Sequence, residues 1–351
     1  VLFRSGVAFL VAAALRIPSP AIFQRLQEFE KVVFYKEGPF ATVSVLENSL
    51  GFRTIYVDNV GVAGTDPMLL TDQKSLAHVP MLMLKNPKSA LTVGFGSGGA
   101  SYSYTLYPEL DHIDCVEITR TVPTAAPWLQ ASNRGIIGHP DIERQVGTGN
   151  RDLGDFGDKP VTPLWEGSGW FKRDPRYNII LDDARSYLRF TDRKYDVIAT
   201  DCTDLRYKSN ANLYDLEYFQ LCRESITDDG MVVVWMPLGG LSDAAMKVAL
   251  RTFYKVFPEM EIFFMNNQPT HYVLLIGTKQ PLKVDPELMK QRLRNQAVAR
   301  DLAEIQLDSA EKILSCFIMG REMMPRYLGE VPLNTENFPY LEFESPRYGY
   351  G

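Results

Sequence analysis

Ala90-Leu-Thr-Val-Gly-Phe-Gly-Ser-Gly-Gly99, followed by Ile113-Asp-Cys-Val-Glu117, decides the fold. A short apolar run ends in a glycine-rich turn, and a second apolar run ends in an acid about twenty residues later. The pattern is strand, glycine turn, helix, strand, acidic tip. In a doubly wound α/β sheet that arrangement builds a nucleoside site. Glycine lets the backbone turn sharply and approach a ligand, and the acid can accept hydrogen bonds from both ribose hydroxyls. Gly94, Gly96, Ser97, Gly98 and Glu117 are the expected cofactor contacts.

Outward from this core, strands are expected at 90–93, 113–117, 177–181, 195–200 and 231–236, with helices at 98–107, 120–132, 213–225 and 242–257. A closing strand pair is expected at 261–265 and 272–276. Alternating strands and helices imply a mainly parallel sheet, here the methyltransferase-type Rossmann-like variant. Before it, 32–35, 40–46 and 52–57 read as strands of a small antiparallel β domain, a pattern that 56–60 continues, and a helix spans 72–84. The expected organisation is an apolar stump and linker helix at 1–30, the β domain at 31–66, the α/β domain at 67–280, and a helical tail at 281–351. Residues 145–174 are rich in Gly, Asp and Pro and read as a surface insertion, with Trp165 and Trp170 pinning it.

The chain has 351 residues, 45% hydrophobic and 23% charged, with a net charge of −6. Phosphate binding needs a basic face, so nucleic acid is an unlikely partner on charge grounds, whereas a cationic substrate suits an acidic chain. Cys115, Cys202, Cys222 and Cys316 lack CxxC spacing and read as reduced thiols, which suggests a cytoplasmic setting. The four histidines lack metal-ligand spacing, and no metal is expected. The apolar run at 6–15 is shorter than the about 20 residues that span a bilayer. The chain opens on Val1, so the natural start is expected to lie upstream, and the run reads as the stump of a transmembrane helix, a signal-peptide core or an ordinary buried helix.

Ligands in such sheets bind at the carboxyl ends of the strands. There the chain places Glu117, Asp182-Asp183 and Asp201, with Asp204 just beyond. Converging carboxylates are costly unless cations or donors meet them, and ribose hydroxyls, an adenine amine and ammonium groups are such partners. One of Asp182 and Asp183 is expected to cap the following helix.

These residues, with Tyr35-Lys-Glu-Gly-Pro39, Leu76-Ala-His-Val-Pro80, Asp182-Asp-Ala184, Asp201-Cys-Thr-Asp204 and Asn212-Leu-Tyr-Asp-Leu-Glu-Tyr-Phe219, resemble the polyamine aminopropyltransferase (spermidine synthase) family over most of 31–277. Asn334-Thr-Glu-Asn-Phe-Pro-Tyr-Leu-Glu-Phe343 resembles the branch fused behind a membrane domain, which implies membrane attachment through a segment before Val1 and a site facing the cytoplasm. The resemblance implies decarboxylated S-adenosylmethionine as co-substrate, a small-molecule amine as acceptor, and a homo-oligomer. It implies that Glu117 holds the ribose, Asp183 with Ala184 binds adenine, Asp201 is the proton acceptor, and Asp204 holds the amine. Gln73 and Tyr214 are further expected substrate contacts. Tyr102, Tyr104 and Tyr107 read as packing.

Three departures from the family pattern bear on substrate and donor. Ser97 stands where the glycine loop usually carries an acid that meets an amine and repels the carboxylate of intact S-adenosylmethionine, so Ser97→Asp is expected to sharpen that discrimination. Asp72-Gln73-Lys74 replaces Tyr-His-Glu, and Lys74 is expected to bring positive charge to a site for cations. Ala41 replaces a Gln that contacts the cofactor. The rival readings are a methyltransferase using intact S-adenosylmethionine and a non-catalytic nucleoside-sensing domain.

Overall fold

The computed structural model describes residues 31–146, 156, 160–201, 205, 210–267 and 272–348. The predicted stump and linker helix at 1–30, and residues 147–155 and 157–159 of the insertion, lie outside them. Among the described residues no helix is long and apolar enough to cross a membrane.

Strands β1 (Lys31–Glu37), β2 (Thr42–Glu47), β3 (Arg53–Val57) and β4 (Val60–Gly64) form a four-stranded antiparallel sheet in chain order. The predicted run through 56–60 is broken by a turn. Asp58 and Asn59 both take positive φ, 47° and 67°, which reverses the chain in the sense that matches strand twist. Asp and Asn tolerate that conformation better than other side chains do.

Helix α1 (Pro67–Met83) starts before the predicted residue 72. Asp66 caps it, accepting from the backbone N–H of Met68 and Leu69, and Pro67 sits at the first helical position, where its missing donor costs nothing. Next come β5 (Ser89–Val93), α2 (Gly99–Thr105) and β6 (His112–Glu117). The helix expected at 120–132 forms instead as a 3-10 turn (Pro123–Trp128) and one short turn of α-helix (Gln130–Asn133). Pro123 and Pro127 remove two of the amide donors a regular helix needs. Short strands β7 (Ile137–Gly138), β8 (Thr162–Pro163) and β9 (Phe171–Lys172) pair into a small sheet. Trp165 and Trp170 meet there edge to face at 6.1 Å, with the Arg120 guanidinium 4.9 Å over Trp165, so these rings pin the described part of the insertion.

The chain continues through β10 (Tyr177–Leu181), α3 (Ala184–Phe190), β11 (Tyr195–Thr200), α4 (Leu216–Ser225), β12 (Ile226–Pro237), α5 (Asp243–Val256), β13 (Glu259–Phe263), β14 (Tyr272–Thr278), α6 (Gln296–Ala303) and β15 (Phe317–Gly320). The main sheet has eight strands in the order β10-β6-β5-β11-β12-β14-β13-β15. The first five run parallel and the last three pair antiparallel. This is the α/β methyltransferase-like architecture, with the small antiparallel sheet preceding it. The tail is not wholly helical: β15 leaves it to extend the sheet beside β13.

Strand alternation divides two cores. Ala90, Val197, Ala199, Met231 and Val233 pack on one face with Leu76, Val79 and Leu82 of α1. Leu91, Ile198, Val232 and Val234 pack on the other with Phe219 of α4 and Phe253 of α5. Apolar residues at successive positions are what a strand covered by helices on both faces requires. The order also reverses between β5 and β11, because the chain runs outward from β5 and later returns to its other side. A crevice opens at that switch, at the carboxyl ends of the strands.

Candidate active site

Gly94, Gly96 and Gly98 leave β5 with φ of 92°, 54° and 82°. An added Cβ at Gly94 would lie 2.8 Å from the Asp201 carbonyl, and one at Gly98 would lie 2.6 Å from the Phe95 ring. Conformation and space both require glycine there. The Gly94 amide donates to Val116 O at 2.8 Å, and the Asp201 amide to Val93 O at 3.0 Å. The ends of β6, β5 and β11 are thereby tied together at the rim.

Glu117 is held from below. Its Oε2 accepts from the Phe95 N–H and its Oε1 from the Thr119 N–H, each at 3.0 Å. Burial pushes its carboxyl up, and these amides pull back against it. A carboxylate has about four lone-pair sites, so each oxygen keeps accepting capacity for a hydroxyl above the sheet. Beside it, the turn from Gly38 to Ala41 packs against Thr121: a Cβ on Gly38 would overlap the Thr121 hydroxyl.

Asp183 caps α3. Its Oδ1 accepts from the Ser186 N–H at 2.9 Å, while exposed Asp182 accepts from the Asp183 N–H. The capping acid is thus the one the family resemblance assigns to adenine. Its Oδ2 makes no hydrogen bond among the described residues, so the cap and a ligand contact use different oxygens. Ala184 is nearly buried beside it.

Asp201 ends β11 across from the glycine loop and is partly exposed. Gln73, itself 1% exposed, donates its amide N–H to Asp201 Oδ2. The Gln73 carbonyl accepts from Ser97 Oγ at 3.3 Å, and Ser97 and Ser132 share a hydrogen bond at 2.7 Å. This relay fixes which end of the Gln73 amide faces Asp201. Burial, partly countered by the Gln73 hydrogen bond and assisted by the charge of Glu117, pushes the Asp201 carboxyl up to about 7.

The structure redistributes the other predicted contacts. Ser97 has no exposed surface. Its hydroxyl goes to Gln73 and Ser132, and the Asn133 amide bonds its carbonyl, so it positions Gln73 and does not line the crevice. Tyr214 is fully buried and donates its hydroxyl to the Trp235 carbonyl, so it backs the wall of the crevice. Asp204 lies outside the described residues. Tyr102, Tyr104 and Tyr107 are buried packing residues, as expected.

Lys74 does not bring charge to the site. Its side chain is fully buried, at 2.5 Å from Asp301 of α6 and 2.7 Å from Glu304. Asp301 also bonds His78 at 2.8 Å and Ser103 at 2.6 Å. Burial alone would raise the Asp301 carboxyl, but the His78 hydrogen bond and the Lys74 charge outweigh it and hold it below the ordinary range. Consecutive helix positions point in different directions, so Gln73 and Lys74 serve different neighbourhoods.

Asp72, which the sequence reading noted only as a departure, lies next to Gln73 in this cluster. Its Oδ1 is buried without a hydrogen-bond partner among the described residues. The Tyr272 hydroxyl and the Trp235 indole face the same carboxylate, and those two rings stack at 5.8 Å and 19°. The signal was present: an acid one residue before the glutamine that meets Asp201.

Residues 163–278 match the family model of the spermine/spermidine synthase domain. The chain is 23% identical over 243 residues to the polyamine aminopropyltransferase of Buchnera aphidicola subsp. Acyrthosiphon pisum (strain Tuc7), covering 69% of this chain and 72% of that one. It is 24% identical over 278 residues to the polyamine aminopropyltransferase of Thermotoga maritima, covering 75% and 79%. A solved spermidine synthase in complex with the transition-state analogue AdoDATO superposes with a TM-score of 0.61 at 21% identity, over 85% of this chain and 88% of that one. That likeness shows the shared fold.

Proposed function

Because the chain belongs to the spermine/spermidine synthase family, we propose that it transfers an aminopropyl group from decarboxylated S-adenosylmethionine to a di- or polyamine and releases methylthioadenosine. The observation that carries this reading is Asp201: a carboxyl pushed up to about 7, set across the glycine loop and held by Gln73. The solved relative bound to a transition-state analogue supports the choice of donor.

The chemistry follows from these residues. The amine nitrogen attacks the propyl carbon bonded to the sulfonium. The carbon–sulfur bond breaks, its electron pair goes to sulfur, and the thioether leaves neutral. The amine must attack with a free lone pair, so it has to shed a proton, and Asp201 is placed to accept one. A group with a pKa close to the working pH does this well. Glu117 would hold the ribose, Asp183 and Ala184 the adenine, and the Gly94–Gly98 turn would let the donor lie against the backbone. Gln73 orients Asp201, with Ser97 behind it. Asp204 would hold the acceptor.

A product assay by mass spectrometry tests the reading. Purified protein receives either form of the donor with a panel of diamines and polyamines. Methylthioadenosine and an amine longer by one aminopropyl unit are the expected products. S-adenosylhomocysteine with a methylated product would replace this reading with a methyltransferase. We also propose a homo-oligomer, on the resemblance to the family, and membrane attachment with the site facing the cytoplasm, on the resemblance of 334–343 to its membrane-fused branch; light scattering and cell fractionation test these.

A further inference from the structure

We infer that Asp72 is the carboxylate that binds the terminal ammonium of the aminopropyl donor, doing from helix α1 what an acid at position 97 would do from the glycine loop. This rests on the aminopropyl-transfer reading above. Position 97 cannot serve, because Ser97 is fully buried behind Gln73 and its hydroxyl is already bonded to Gln73 and Ser132. Asp201 is occupied by Gln73 on one side and is needed by the attacking nitrogen on the other. Glu117 spends an amide bond on each oxygen and sits at the ribose end. Asp72 is left: one residue from Gln73, with a buried oxygen that has no hydrogen-bond partner among the described residues.

A buried oxygen without a partner is costly in the empty protein and favourable once a donor arrives. An ammonium supplies three N–H donors and a charge, which meets both deficits. The Tyr272 hydroxyl and the Trp235 indole, which face the same carboxylate from the stacked ring pair, hold Asp72 in position beside the site. Burial and the neighbouring charge of Asp201 hold the Asp72 carboxyl well above its ordinary value, so the ligand-free pair resists carrying two negative charges. A donor bearing a sulfonium and an ammonium relieves that strain. Intact S-adenosylmethionine would present its own carboxylate near Asp72 and be repelled. The discrimination that Ser97 cannot provide is thereby supplied from the helix.

Calorimetric titration of the full chain with decarboxylated S-adenosylmethionine and with methylthioadenosine, which lacks the aminopropyl arm, tests this. Asp72→Asn should weaken the donor about tenfold to a hundredfold and leave methylthioadenosine within about twofold. Asp72→Tyr guards against a fold artefact and should show the same split. The acceptor's KM should stay put. Equal loss of both ligands, no loss of either, or a rise in the acceptor's KM with donor affinity intact would each overturn the assignment of Asp72 alone. Failure of the unmodified protein to bind methylthioadenosine would overturn the aminopropyl-transfer reading itself.

Discussion

The two halves of the crevice handle their acids in opposite ways. On the side of β6 and β10, Glu117 and Asp183 are held from below by backbone N–H groups, as ordinary loop and cap chemistry demands, and keep accepting capacity above. On the side of α1 and β11, no backbone N–H among the described residues reaches the Asp72 or Asp201 carboxylate: Asp72 faces Tyr272 and Trp235, Asp201 accepts from Gln73, and burial pushes both carboxyls up, as it does that of Glu117. Under the proposed function, the first half offers a nucleoside acceptors at fixed points, and the second offers carboxylates to cations and a proton acceptor to the amine.

The sharpest way to break this contrast is Asp201→Asn. Turnover should fall about a thousandfold while methylthioadenosine binding survives, because the nucleoside half is untouched. Retained turnover would remove Asp201 as the base. The same change should stabilise the fold in alkaline buffer. Asp201 has its folded pKa near 7 against an ordinary 3.8, so the native state binds the extra proton between those values. Native stability therefore falls as pH rises across that window, and the neutral amide escapes the loss. Because Asp201 is partly exposed, the benefit at pH 8 should be on the order of 1 kcal/mol, about 2–4 °C in Tm by calorimetry. An unchanged Tm would argue against a strained carboxylate.

Next in size is the pH profile. With Asp201 as base, kcat/KM of the unmodified protein should rise with a slope approaching tenfold per pH unit below about 7 and then level. Ionisation of the amine adds its own limb at higher pH. A flat acid limb would separate the rate from this carboxyl.

Gly94→Ala strikes the seam between the halves. Positive φ and a Cβ 2.8 Å from the Asp201 carbonyl should cost about 1–3 kcal/mol of stability and weaken donor binding and turnover together. Chemical denaturation and titration would read both. The smallest effect is expected from Ser97→Ala, which removes only the hydroxyl that orients Gln73. Turnover should drop about twofold to tenfold, with little change in methylthioadenosine affinity. Ser97→Asp, read from the sequence as a way to sharpen donor choice, should instead destabilise the chain, since it buries a charge among Gln73 and Ser132.

What the sequence made legible was the part governed by local period and punctuation. Apolar runs closed by glycine or acid marked β5, β6, β10 and β11, and with them the rim that carries Gly94, Glu117, Asp183 and Asp201. What it hid depended on distant partners. The direction of Lys74 is set by Asp301, 227 residues away, and no spacing rule announces that pair. The burial of Ser97 is set by Ser132 and Asn133, in a segment where prolines replaced the expected helix. Strands of two residues, such as β7 to β9, are too short to show a period at all. Asp72 stood in plain view, but an acid on a helix reads as a surface residue until the structure shows Tyr272 and Trp235 beside it.

The buried contact of Lys74 with Asp301 and Glu304 also bears on how this chain can change over generations. A neutral or acidic residue at 74 would strand Asp301 in the interior, and a neutral residue at 301 would strand Lys74, each a severe fault taken alone. Positions 74, 301 and 304 should therefore drift as a linked set. The triplet Asp72-Gln73-Lys74 thus joins two histories: its first two residues answer to the Asp201 side of the rim, where the ligand is proposed to bind, and its third answers to the tail.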